Sequence, residues 1–134
     1  MKEFGFFFEL HPDVPSYPSI VSAQSTRSER LSNMPHVLGY LENAPVLCVL
    51  LGPIVDPFIK DEVVYLRGDT RTDGQWTWPD ELPYLIKNYH VELPEEFLNY
   101  MESKGWKAPI LSDEELIDIA EELQREHSED PDET

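Results

Sequence analysis

The chain predicts a single α+β domain, a small mainly antiparallel sheet packed against several helices. Three observations carry this. Up to about residue 78, short aromatic or aliphatic runs alternate with proline- and glycine-rich breaks. Beyond residue 80, apolar residues recur at helical spacing. At 134 residues the chain has the length of one domain, enough to bury roughly two-thirds of its unfolded surface without covalent staples.

The elements follow in order. Phe4 to Leu10 is aromatic-rich and short, a strand candidate. Pro12, Pro15 and Pro18 forbid a long helix or a central strand in the next segment, and one short helix fits between Ser19 and Leu31. Pro35 to Asn43 reads as a helix with Val37, Leu38 and Leu41 on one side. Val46 to Leu51 is a continuous apolar run of the length of a buried strand. Val63 to Arg67 is a third strand, and residues 68–74 make a polar hairpin loop to its partner at 75–78.

The stretch from Asp73 to Phe97 organises the rest. Asp73-Gly74 is a turn dipeptide, because glycine takes positive φ without steric cost. Trp76 and Trp78 are two apart and share one face of a strand. Asp80 stands as a helix N-cap, with Pro83 in the first turn and Leu82, Leu85, Ile86 and Tyr89 as the buried stripe. Pro94 opens a helix to Lys104, with Phe97, Leu98 and Met101 inward and Gly105 as terminator. Ser112 and Glu115 form a capping box for the last helix, with Leu111 and Leu116 placed as a hydrophobic staple. Leu116, Ile117, Ala120 and Leu123 form its apolar stripe. Residues 1–127 thus make the domain, and 128–134 read as an acidic disordered tail.

Charge narrows the function classes. Asp and Glu number 27 against 10 Lys and Arg, a formal net charge of −17. That field repels nucleic acid and anionic lipid and attracts basic partners. A plain alternative is solubility. The single cysteine, Cys48, excludes a disulfide framework, and no signal-peptide pattern or membrane-span-length apolar run is present, so a cytoplasmic protein is expected.

No motif carries chemistry. His11, His36, His90 and His127 lack zinc-hydrolase spacing, and His90-Val91-Glu92 lacks the cysteine pair a zinc deaminase needs. Cys48 sits between Leu and Val and reads as a small buried hydrophobe. Paired acids such as Asp61-Glu62 and Glu95-Glu96 arise from composition and serve helix starts. Arg67-Gly68-Asp69 reads as a turn. Neither metal nor cofactor is expected, and no catalytic residue is singled out.

Two patches remain as candidate contacts. Either at least one of Trp76 and Trp78 closes the core under the helix that follows, or an aromatic stands exposed beside Asp73, Asp80 and Glu81 as an anchor ringed by acids, which makes Asp69, Asp73, Trp76, Asp80 and Glu81 the candidate contacts. On the last helix, Asp118, Glu121 and Glu122, with Asp113 and Glu114, face away from the apolar stripe. Like charges at this spacing cost helix stability, so the face is either simply solvated or kept for a cationic partner.

Thr72 to Leu98 resembles a family of small bacterial proteins, with a similar turn, paired tryptophans, helix with tyrosines and His-Val-x-Leu-Pro link. Leu51-Gly-Pro-Ile-Val-Asp56 looks like the family's Gly-Pro-x-x-Asp element, and Met1 to Phe6 like its opening strand. The likeness extends to about residue 109, leaving the last helix outside it. Leu85 after Tyr84 departs from a more usual tyrosine pair. Such proteins look like immunity proteins of polymorphic toxin systems, including contact-dependent growth inhibition. The resemblance implies a cytosolic protein that binds and neutralises a cognate toxin domain, and it carries over no catalytic residue. Toxins that attack nucleic acid need basic clefts, which an acidic inhibitor fills, so a basic nuclease domain is the expected partner. The alternatives are a small hydrolase or transferase with an acidic pocket, or an adaptor for another basic protein. Oligomeric state is not legible.

Overall fold

The computed structural model describes residues 2–12, 14–24, 34–48, 54–66 and 69–128, the side chains of Cys48, Ile54, His127 and Ser128 excepted. Strands β1 (Lys2–Glu3), β2 (Val46–Cys48), β3 (Ile54–Val55), β4 (Tyr65–Leu66), β5 (Thr70–Thr72) and β6 (Trp76–Pro79) alternate with helix α1 (Met34–Asn43) and precede α2 (Leu82–Tyr89), α3 (Glu95–Ser103) and α4 (Asp113–Ser128). A four-stranded mixed sheet runs in the order β1-β6-β5-β2, and β3 pairs with β4 in a separate ribbon. The fold is α+β. Only the β1–β6 contact is parallel among these pairings.

The hairpin at the centre differs from expectation. β6 pairs with Thr70–Thr72, in the register Thr72↔Thr77 and Thr70↔Pro79, and Tyr65–Leu66 pairs with Ile54–Val55 instead. The loop is therefore shorter than residues 68–74. It closes on Asp73 and Gly74, whose φ is +95°. Thr72 locks it by donating to the Trp76 carbonyl at 2.9 Å while accepting from Gly74 N–H at 3.0 Å.

The strand expected over residues 4–10 does not form; the first strand is Lys2–Glu3, ahead of that range. Lys2 and Phe4 donate to the Gln75 and Thr77 carbonyls. Pro79 has no N–H to continue this ladder, and Gly5 at φ +95° turns the chain away. Phe7 then accepts from Leu10 and His11 in a turn. The helix expected within 19–31 is a single 3-10 turn over Ile20–Ala23, and residues 25–33 lie outside the described set. The expected strand end at 49–51 and the tail at 129–134 also lie outside it, while Ser128 is the last residue of α4.

Both tryptophans are buried, settling their shared face as core. Trp76 stacks on Phe97 of α3 with centroids 4.5 Å apart, and Trp78, fully enclosed, meets Phe97 and Tyr40 of α1. The Trp78 indole donates to the Leu41 carbonyl at 3.3 Å, so the ring's one polar atom is satisfied. Leu82, Leu85 and Ile86 of α2 and Met101 of α3 complete this layer. α4 packs beside β2, at the sheet edge opposite β1. Its capping box forms reciprocally, with Glu115 N–H donating to Ser112 Oγ at 3.1 Å and Ser112 N–H to Glu115 Oε1 at 3.2 Å. Its apolar stripe is corrected: Ile119 joins Leu116, Ala120 and Leu123 on the half-buried side, and Ile117 is 57% exposed. Positions 116, 119, 120 and 123 follow i, i+3, i+4, i+7, whereas 117 lies about 100° round the helix from 116.

Candidate functional site

The acids of the hairpin form no surface patch. Asp69, Asp73, Trp76 and Glu81 are buried, and Asp80 is largely covered. Each acid whose partners are resolved serves the fold. The Asp73 carboxylate accepts from Gln75 N–H at 2.9 Å, Trp76 N–H at 2.7 Å and the Tyr40 hydroxyl at 2.6 Å. Burial, then the hydrogen bond to Asp73 and its charge, pushes the Tyr40 phenol far above the ordinary tyrosine range. Asp80 was expected to cap α2. It instead accepts from Arg71 Nε at 2.6 Å, and that guanidinium also reaches the Ala44 carbonyl at 2.5 Å, tying β5 to the end of α1. The N-cap of α2 is Glu81, in helical backbone geometry and without a side-chain cap. This corrects the expectation of an exposed aromatic anchor ringed by acids. In a chain with this many carboxylates, those near a hairpin were the ones whose backbone N–H groups and neighbouring donors could hold them inside.

Two constellations were not foreseen. The Glu81 carboxylate is enclosed and meets His11 Nε2 through Oε1 at 2.5 Å, while Oε2 has no hydrogen-bond partner among the described residues. Asp56 accepts from Tyr84 at 2.7 Å, Tyr89 at 2.5 Å and the Phe58 N–H at 2.8 Å. Burial alone would raise its pKa; the bonds from Tyr89, Tyr84 and two backbone N–H groups outweigh that and hold it low. Burial and the bond to Asp56 push Tyr89 up, and the bond to Asp56 with burial does the same for Tyr84. The only sequence signal for this cluster was an Asp in a turn and two tyrosines on one helix.

The other predicted patch is on the surface. Asp118, Glu121 and Glu122 of α4 are all exposed, as are Asp113, Glu114 and Glu115 in its first turn. Arg125 is exposed on the same helix. An exposed helical face carrying so many carboxylates projects a negative potential without committing any of them to the core.

Comparisons with family models, curated proteins and solved structures returned no match.

Among the described residues, no group of three or more His, Cys, Asp or Glu side chains is placed to hold a metal ion, and no helix is long and apolar enough to cross a membrane. Val91 is buried and bridges to Gln24, so the His90-Val91-Glu92 segment forms an isolated pairing with the 3-10 turn.

Proposed function

We propose that this chain is a cytoplasmic immunity protein that binds a basic toxin domain, a nuclease in the favoured case, and keeps it from its substrate. The observation that carries the reading is the α4 face, where Asp113, Glu114, Asp118, Glu121 and Glu122 all stand exposed on a chain of net charge −17. An acidic surface of this kind speeds encounter with a cationic protein and competes with a polyanionic substrate for the same cleft. α4 packs beside β2 at the edge of the sheet, which fixes such a face to the domain.

The test begins with a toxin domain encoded next to this chain. Co-expression should protect the host cell. Association should slow at least about tenfold between low and high salt, and Asp118→Asn/Glu121→Gln/Glu122→Gln should slow it by roughly threefold to tenfold at low salt. A chain that neither binds nor protects against the neighbouring toxin would remove the proposal.

A further inference from the structure

A cleft of about 320 Å³ lies between α1 and the connection from α3 to α4. Pro35, His36, Gly39 and Asn43 line it from the helix, and Trp106, Lys107 and Ala108 from the connection. That volume is at the lower end for small-molecule sites.

Two of the lining residues are costly choices. Gly105 ends α3 at φ +65°, with its N–H on the Glu102 carbonyl at 2.9 Å and the Trp106 N–H on the Met101 carbonyl at 3.0 Å. Such a terminator needs only the glycine in the left-handed region. Trp106 is left-handed as well, at φ +61°, which strains a bulky residue. The indole so placed is half-buried and stacks on the His36 ring, with centroids 6.0 Å apart and planes at 22°. Backbone strain of this kind gathers at ligand sites. Gly39 is the other choice, since glycine weakens a helix interior. A Cβ there would meet nothing within 4 Å, so packing does not demand the glycine, and the missing side chain leaves the floor of the cleft open.

The charge of the cleft is opposite to that of the chain. Lys107 is exposed and makes no ion pair among the described residues, His36 adds a ring N–H, and no Asp or Glu is among the lining residues. Glu42, the one acid of α1, pairs with Lys87 of α2 at 3.6 Å. Asn43 Nδ2 donates to the Gly39 carbonyl at 2.7 Å, which leaves its Oδ1 to accept.

We propose that this cleft binds a small aromatic carboxylate. The flat ring lies along the Trp106–His36 wall above Gly39, and the carboxylate meets Lys107. A monoanion suits the cleft better than a phosphate dianion, because a chain of net charge −17 repels anions in proportion to their charge. The site is separate from the acidic face of α4 and needs no toxin partner.

Indole-3-acetate is the probe, titrated into the full chain and followed by calorimetry and amide chemical shifts. It should bind saturably, with shifts at residues 35–43 and 105–108. Indole-3-acetamide, its uncharged isostere, and acetate, which lacks the ring, should each bind roughly fivefold more weakly or worse. Lys107→Gln should weaken indole-3-acetate roughly fivefold and leave indole-3-acetamide within about twofold. Lys60→Gln removes an exposed cation outside the cleft and should change neither by more than about twofold. Gly39→Leu fills the floor and should weaken both indoles about tenfold or more without lowering the Tm. Should that variant unfold, Lys107→Gln at its exposed position still decides. Equal affinity for acid and amide, equal weakening by the two lysine variants, tighter binding of adenosine 5′-monophosphate, shifts confined to other residues, or no saturable binding would each overturn the proposal.

Discussion

Replacing Asp73 by Ala should cost this protein much of its stability, and the magnitude follows from three hydrogen bonds. The carboxylate accepts from Tyr40, Gln75 and Trp76. Gln75 is exposed, so water can replace the lost acceptor for its N–H. The Trp76 N–H and the Tyr40 side chain are buried, and each is left unsatisfied. An orphaned buried donor costs about 1–3 kcal/mol, so Asp73→Ala should lose about 3–4 kcal/mol in all. Asp73→Asn keeps an oxygen for both backbone donors and asks only that the Tyr40 hydroxyl reverse its role, a loss of about 1–2 kcal/mol. Urea unfolding followed by tryptophan fluorescence measures both. With an m-value of about 1.5 kcal/mol/M, the alanine variant should shift the midpoint by about 2–2.7 M and the asparagine variant by about 0.7–1.3 M. Tyr40→Phe combined with Asp73→Ala should cost less than the sum of the two, because both remove one shared bond. A shift under about 0.5 M for Asp73→Ala, or equal shifts for alanine and asparagine, would refute the assignment of Asp73 as the keystone of the hairpin.

Three other outcomes are expected. The Asp56–Tyr84–Tyr89 cluster makes stability depend on pH at both ends. The lowered Asp56 pKa contributes stability above the unfolded value of about 3.9 that is lost as pH falls through the folded value, and the raised tyrosines contribute stability below about 10 that is lost as pH rises through theirs. In pH-dependent denaturation, both losses should shrink in Tyr84→Phe/Tyr89→Phe; unchanged limbs would assign them elsewhere. His11→Ala leaves the enclosed Glu81 carboxylate without its partner and should cost about 3 kcal/mol, whereas Glu81→Gln removes the buried charge and should cost less than half of that, read by the same urea midpoints. Gly5→Ala must hold φ +95° and place a Cβ about 3.0 Å from Leu82 Cδ1 and 3.1 Å from Pro79 Cδ, so thermal unfolding should show a Tm lower by roughly 6 °C, a loss of about 2 kcal/mol.

Features that depend on a few neighbouring residues are legible in the sequence. The Ser112–Glu115 capping box, the Asp73-Gly74 turn and the left-handed Gly105 terminator all appear as read. Each is decided within a handful of residues, by donors and φ values that the local sequence fixes. The shared face of Trp76 and Trp78 was legible for the same reason, since strand side chains alternate. The pairing of that strand was not. Val63 to Arg67 and Thr70 to Thr72 both precede the turn; Tyr65–Leu66 pairs with Ile54–Val55, and Thr70–Thr72 takes the tryptophan strand.

The fate of the acids was hidden for a related reason. Asp73 meets a tyrosine 33 residues away, Asp56 meets two at 28 and 33, and Glu81 meets a histidine at 70. Nothing in the pattern of 27 carboxylates marks those few as internal. Composition determines the long-range field, because charges add wherever they lie on the surface. Periodicity determines the helices and the tryptophan face, because backbone geometry repeats. Which carboxylates face water and which are enclosed by donors is decided only when distant segments meet, because desolvating a charge is tolerable only where the folded chain supplies its partners.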